Sequence, residues 1–206
     1  MVRDGIIWVL VPLVAAACAL LSGYWFIALP LLLLAAFMAY FFRDPRRTSP
    51  ADDALVVSPA DGRITRVQRL VEGATSPTLV SIFLSPFDVH INRAPISGEV
   101  RDVTYTKGRF TIATNEDASL VNEQNALTIS NERVTVVCKQ IAGILARRIV
   151  CWKKAGDRLE RGERFGLIKF SSRTDLVLPP EVEVRVKVGE RVRGGVSIIG
   201  RIRDGG

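Results

Sequence analysis

From Gly5 to Phe42 the chain carries no charged residue. No other feature limits its fold as much. A helical membrane span takes roughly 20 apolar residues, so the run is too long for one ordinary span and just long enough for two. Ser22-Gly23-Tyr24 lies near its middle, where the chain has the residues to turn. The run predicts a transmembrane helical hairpin, about Ile6 to Leu21 and Trp25 to Phe41. Trp8, Tyr24, Trp25 and Tyr40 lie near the ends of the arms, where aromatic rings favour the membrane interface. A cleaved signal peptide is the competing reading. Ala15-Ala16-Ala17 offers the small residues it needs, but the apolar run continues past them. Arg3 precedes the first arm, and Arg43, Arg46 and Arg47 follow the second. Positive charge stays inside, which puts both ends on the cytoplasmic face of the cell membrane. Residues 1–42 then form a membrane anchor and 43–206 a cytoplasmic domain.

The charged residues of the first 42 positions are Arg3 and Asp4, so the net charge of +7 belongs to the rest. A basic domain tethered at an anionic leaflet is attracted to it. Nucleic acid is not an expected partner: there is no helix-turn-helix pattern, zinc spacing or aromatic-basic motif. Cys18, Cys138 and Cys151 are odd in number and form no C-x-x-C pair. That argues against a disulfide framework or a structural zinc site and fits a reducing compartment. One histidine and scattered acids give no ligand cluster, so no catalytic metal is expected.

Residues 43–206 suffice for one domain with a core. Short β-branched runs recur between Gly and Pro, among them Arg63 to Val67, Leu79 to Leu84, Gly98 to Tyr105, Val134 to Ile141, Phe165 to Phe170 and Asp175 to Leu178. Val182 to Val188 alternates apolar and polar residues, the period of a half-buried strand. The domain reads as mainly β. A weak repeat is visible: Gly156 to Gly162 (GDRLERG) resembles Gly189 to Gly195 (GERVRGG). Pro59 to Ile64 and Ala94 to Val100 form a second loose pair. Such turns look like those of biotinyl- and lipoyl-carrier domains, which are flattened β-sandwiches. The expected architecture is a flattened sandwich or barrel-like domain with carrier-like turns. No lysine sits where a carrier would be modified, so this likeness concerns architecture alone.

Two segments carry chemistry. Phe83 to Pro95 (FLSPFDVHINRAP) holds the only histidine, His90, beside Asp88, Asn92 and Arg93. Imidazole titrates near neutral pH without perturbation, so His90 is the candidate base. Near the C-terminus a strand runs into Ser171-Ser172. A Ser-His-Asp hydrolase is conceivable from composition, but no G-x-S-x-G elbow is present. Asp61, in the Ala60-Asp61-Gly62 turn, is the candidate to orient His90 as in a triad; its alternative is a structural turn.

Taken together, FFRDP (Phe41 to Pro45), SPADG (Ser58 to Gly62), FLSPFDVHINRAP, QIAGILARRIV (Gln140 to Val150) and GERFGLIKFSSRTDL (Gly162 to Leu176) resemble the phosphatidylserine decarboxylase family in its short form. The five occur in order through most of the domain, and the apolar hairpin lies where the family has its anchor. The resemblance implies a chain that cuts itself between Ser171 and Ser172 and converts Ser172 to a pyruvoyl group. Such a ketone would form a Schiff base with the amine of phosphatidylserine and accept the electrons left when CO2 departs, giving phosphatidylethanolamine. Side chains offer no such electron sink. It implies a heterodimer of the two fragments acting on a lipid in the membrane; whether that unit forms a homo-oligomer stays open. The family usually has Gly where this chain has Ser171. Longer members have a second histidine where this chain has Arg93, which is the candidate to bind a carboxylate or phosphate of the substrate. The rival reading is a non-enzymatic, membrane-tethered, carrier-like β-domain that is never cut.

Overall fold

The computed structural model describes residues 1–71, 76–111, 121–143, 148–170 and 172–203. Contacts divide the chain into two compact units, Met1–Arg46 and Arg47–Gly206. In the first, a 3-10 turn (Arg3–Gly5) leads into helix α1 (Ile6–Leu21), which packs against α2 (Trp25–Phe41). The reversal uses Gly23 at φ +81°, a left-handed conformation that suits glycine. The buried residues of the helices are mostly small, Ala16, Ala28 and Ala35, while Leu21, Trp25 and Leu33 are exposed. Small residues inside and bulky apolar ones outside is the arrangement of helices that pack in lipid. The helical stretch Arg3–Leu21 is long and apolar enough to cross a membrane; α2 is a shorter apolar helix of 17 residues.

The second unit is mainly β. Its strands are β1 (Leu55–Val57), β2 (Gly62–Arg69), β3 (Thr78–Leu84), β4 (Ile91–Arg93), β5 (Gly98–Thr106), β6 (Gln124–Ser130), β7 (Thr135–Ala142), β8 (Arg148–Cys151), β9 (Arg158–Leu159), β10 (Arg164–Lys169), β11 (Ser172–Leu178), β12 (Val182–Val184), β13 (Arg191–Val192) and β14 (Ile198–Ile202). An eight-stranded sheet has the order β13-β2-β3-β11-β7-β6-β5-β9. Two three-stranded sheets have the orders β1-β14-β12 and β4-β10-β8.

These orders reveal a pseudo-two-fold repeat. Strands β1–β3 with β11–β14 form one half, and the continuous segment β4–β10 forms the other. Val56 pairs with Gly200 in the first half, and Asn92 with Gly166 in the second. Val192 pairs with Gly62, and Leu159 with Gly98. The halves also exchange reciprocal hydrogen bonds: Val57 N–H donates to the Pro95 carbonyl at 2.9 Å, and Arg93 N–H to the Pro59 carbonyl at 2.9 Å. The axis passes between Leu176 and Cys138, which face each other on β11 and β7. The weak sequence repeat is thus the visible part of a duplicated fold.

The second half is inserted into the first at the tip of a hairpin. In the second half β6 and β7 form an ordinary hairpin, with Ser130 opposite Thr135. In the first half the equivalent strands, β3 and β11, end with Leu84 opposite Ser172. Here the turn is replaced by everything from Ser85 to Ser171. The chain leaves through Ser85–His90 and returns between Phe170 and Ser172, so both segments singled out in the sequence lie at the joints.

The core lies on one face of the large sheet, where Ile64, Val80, Ile82, Leu84, Val100, Leu127, Ile129, Val136, Cys138 and Leu176 are fully buried. Each such side chain is worth about 1.5–3 kcal/mol of burial. Burial also pushes the Cys138 thiol far above its ordinary range, so it remains an inert, protonated packing group. One strand begins earlier than its sequence pattern predicts. The pattern starts it at Asp175, but β11 starts at Ser172, because this strand is buried on both faces and Arg173, Thr174 and Asp175 find partners inside.

Candidate active site

Ser172 is the first residue of the central strand β11, with Leu84 on one side and Ala142 on the other. Its side chain is fully buried, and its hydroxyl has no hydrogen-bond partner among the described residues. A buried hydroxyl left in this state costs about 1–3 kcal/mol, and such a group in a native fold calls for a functional reason. Ser171 lies outside the described residues. Phe170, just before it, has φ +62° and is the one non-glycine residue with positive φ among the described residues.

His90 ends the other joint and is 2% exposed. Its carbonyl accepts a hydrogen bond from Ile168 N–H at 3.2 Å, which ties it to β10 four residues before Ser172. Its Nδ1 lies 3.0 Å from the Asp88 carbonyl oxygen. A carbonyl only accepts, so Nδ1 carries the proton and the lone pair of the neutral ring is on Nε2. Asp88 is itself fixed: its carboxylate accepts from Ser85 N–H at 2.8 Å and from Ser85 Oγ at 2.7 Å.

Asp61 takes a different place from the one expected. Both its carboxylate oxygens are bound by the Arg47 guanidinium, one at 2.7 Å, and Gly194 N–H donates to it at 2.8 Å. The hydrogen bond that sets the His90 tautomer is accepted by the Asp88 backbone carbonyl. Asp61 instead fastens the start of the β unit to the turn between β13 and β14. Arg93 lies at the turns that follow β9 and β13. It is buried, its guanidinium donates to the Gly162 carbonyl at 3.0 Å, and its Cδ lies against Gly195. It joins the two repeated turns, and this placement gives no support to a role in binding substrate.

Sequence reasoning missed a chain of amides next to Ser172. Asn92 Nδ2 donates to Thr174 Oγ1 at 2.9 Å, Gln140 Nε2 to Asn92 Oδ1 at 2.9 Å, and Asn125 Nδ2 to Gln140 Oε1 at 3.0 Å. All four are buried. Thr174 shares a strand face with Ser172, so the chain fixes the start of β11 against β4, β6 and β7. On the opposite face Arg173 and Asp175 form a buried ion pair through two 2.7 Å contacts. Asn92 lies in the histidine segment, but its partners are 48 and 82 residues away, and no local pattern signals them.

A buried serine hydroxyl with no partner among the described residues, a tautomer-fixed imidazole and a buried, hydrogen-bonded frame could serve a reaction of the chain upon itself. The family profile described as phosphatidylserine decarboxylase matches residues 34–200. Three curated relatives are phosphatidylserine decarboxylase proenzymes. The one from Solibacter usitatus is 49% identical over 98% of this chain and 97% of its own. The one from Symbiobacterium thermophilum is 47% identical over 92% and 90%. The one from Carboxydothermus hydrogenoformans is 45% identical over 98% and 97%. By sequence similarity, motif order and length, this chain belongs to the phosphatidylserine decarboxylase family.

Proposed function

We propose that this protein converts phosphatidylserine to phosphatidylethanolamine and CO2, using a pyruvoyl group made from its own Ser172. The single observation that carries the reading is the Ser172 hydroxyl, buried and without a partner among the described residues, at the joint between the two halves. That hydroxyl attacks the Ser171 carbonyl carbon. The Ser171–Ser172 amide bond breaks, an ester to Oγ forms, and the hydroxyl proton ends on the freed amine. His90 Nε2 is the base that moves it. Elimination then releases the Ser171 carboxylate as the end of the longer fragment. Water removes the remaining nitrogen as ammonia and leaves a ketone at the start of the shorter one. The site fits this group: Leu84 and Ala142 flank it, and no charged neighbour needs to be displaced from the hydroxyl.

The pyruvoyl ketone, once present, supplies the electron sink for decarboxylation. The chain's own residues do the rest. Asn92, Gln140 and Thr174 hold the end of β11 in place after the cut. The fragments stay together because β11 lies between β3 and β7, with β13 on β2 and β14 on β1. The apolar helices keep the protein at the cell membrane, where its substrate resides, with Arg3 and Arg43 to Arg47 favouring the cytoplasmic face.

The test is CO2 release from carboxyl-labelled phosphatidylserine by the purified full-length protein. The expected result is release that hydroxylamine or borohydride abolishes and that Ser172→Ala lacks. Release by Ser172→Ala, or none by the wild type, refutes the proposal; the second outcome favours a binding domain.

A further inference from the structure

We propose that Phe170 is a positioning residue for self-cleavage: its own strained backbone, directly before the scissile pair, relaxes when the link is cut. This rests on the reading of Ser171–Ser172 as the scissile pair.

Six links pass between the eight-stranded sheet and the β4-β10-β8 sheet, and three of them join strands at matching places in the two orders. The order β3-β11-β7 in one matches β4-β10-β8 in the other. The link from β3 to β4 has residues 85–90, and that from β7 to β8 has residues 143–147. Between them, β10 passes to β11 through Phe170 and Ser171 alone. The ends of this short link are fixed. Lys169 is paired with Arg148, and Ser172 is paired with both Leu84 and Ala142. Two residues must make the crossing that longer links make on either side, and Phe170 meets the demand at φ +62°.

Elsewhere this chain puts glycine where φ is left-handed: Gly23, Gly156, Gly162, Gly189 and Gly195 lie between +76° and +96°. At Phe170 it does not. A Cβ in that region clashes with its own backbone, and bulky residues held there are outliers that cluster at functional sites. Cleavage breaks the Ser171 C–Ser172 N bond and replaces it, first, with the bond to Ser172 Oγ. After hydrolysis residues 170 and 171 have no tether to β11. The turn can then leave the left-handed region while Ser172 keeps its place in the sheet. Strain present before the cut and absent after it lowers the barrier to cutting.

Alanine and glycine at 170 separate this role from packing, because both lack the ring and only alanine has the Cβ. The cleavage half-time of full-length protein is read by pulse labelling for Phe170→Ala and Phe170→Gly. Stability is read by thermal unfolding of the same two changes in an uncleavable Ser172→Ala chain. The expected result is that Phe170→Gly cuts about fivefold more slowly than Phe170→Ala, yet unfolds at a higher temperature. At a position with ordinary φ, glycine would be the less stable of the two. Equal or faster cutting by Phe170→Gly overturns the proposal, as does a lower unfolding temperature for Phe170→Gly. A wild-type chain that never cuts overturns both this proposal and the function it rests on, whereas normal cutting with no Ala–Gly difference overturns this one alone.

Discussion

The two halves of the β unit solve one problem in opposite ways. Thr174 and Val136 hold equivalent places, each opposite an isoleucine, Ile82 and Ile129. Ser172-Arg173-Thr174-Asp175 in the interrupted hairpin corresponds to Val134-Thr135-Val136-Val137 in the closed one. The closed hairpin needs only apolar burial and a sound turn. There Asn131 Oδ1 accepts from Arg133 N–H and Val134 N–H, both at 2.9 Å. The interrupted hairpin has no turn, and it fills the same sites with hydroxyls and a buried ion pair. Polar residues stand where the duplicated fold was opened, and their pairing offsets what apolar packing does in the other copy.

Four changes probe that contrast. The largest effect is expected from Asp175→Ala, which leaves the Arg173 guanidinium buried beside a missing carboxylate. Breaking one side of such a pair costs about 3–5 kcal/mol, read as a lowered denaturation midpoint; a change under about 1 kcal/mol would mean the pair is not closed to water. Thr174→Val copies the closed hairpin into the open one. It removes the acceptor of Asn92 and should cost about 1–3 kcal/mol and slow fragment formation. If it were neutral for both, the amide chain would have no part in holding Ser172. Asn131→Ala is the control in the closed hairpin. It should cost about 1 kcal/mol and leave the cleavage rate unchanged; slower cleavage would show that the hairpins are not independent.

The smallest effect concerns acid. Burial pushes the Glu163 carboxyl up, but hydrogen bonds from Lys153, at 2.6 Å, and Glu160 N–H outweigh it, with the charges of Lys153 and Arg164, and hold it below its ordinary value. A carboxyl lowered in the folded state adds stability above its unfolded pKa, about 4.3, and loses it as pH falls through the folded value. For a partly exposed pair this is a few tenths of a kcal/mol. Glu163→Gln should cost those few tenths at neutral pH and progressively less below about pH 5, where the wild-type carboxyl takes up its proton. An equal loss at pH 7 and pH 4 would contradict the assignment.

Much of this was legible in the sequence. The helix bounds follow directly from the uncharged run, because lipid demands long apolar stretches and charge ends them. Most of the longer strands follow from period and punctuation. The short strands β4, β9 and β13 do not, since two or three residues carry no period; β4 reads as INR, without an apolar run. Ser172 and His90 stood out by motif and by scarcity. The partners of Asp61 could not be read locally, because Arg47 comes from the connector before β1 and Gly194 from a turn 133 residues on. The duplication showed only in its glycine turns, where backbone geometry restricts the residue; its apolar positions accept many side chains. Phe170 gave no signal, since nothing in a sequence marks a phenylalanine that adopts a conformation suited to glycine.

The central claim is that Ser172 becomes the new start of a fragment made by the chain itself. Intact mass spectrometry of the purified full-length protein, beside Ser172→Ala, tests it most directly. The account predicts two fragments, the shorter running from residue 172 to Gly206 and beginning with a ketone in place of the serine amine, and neither in the variant. A single uncut chain in both samples would contradict it.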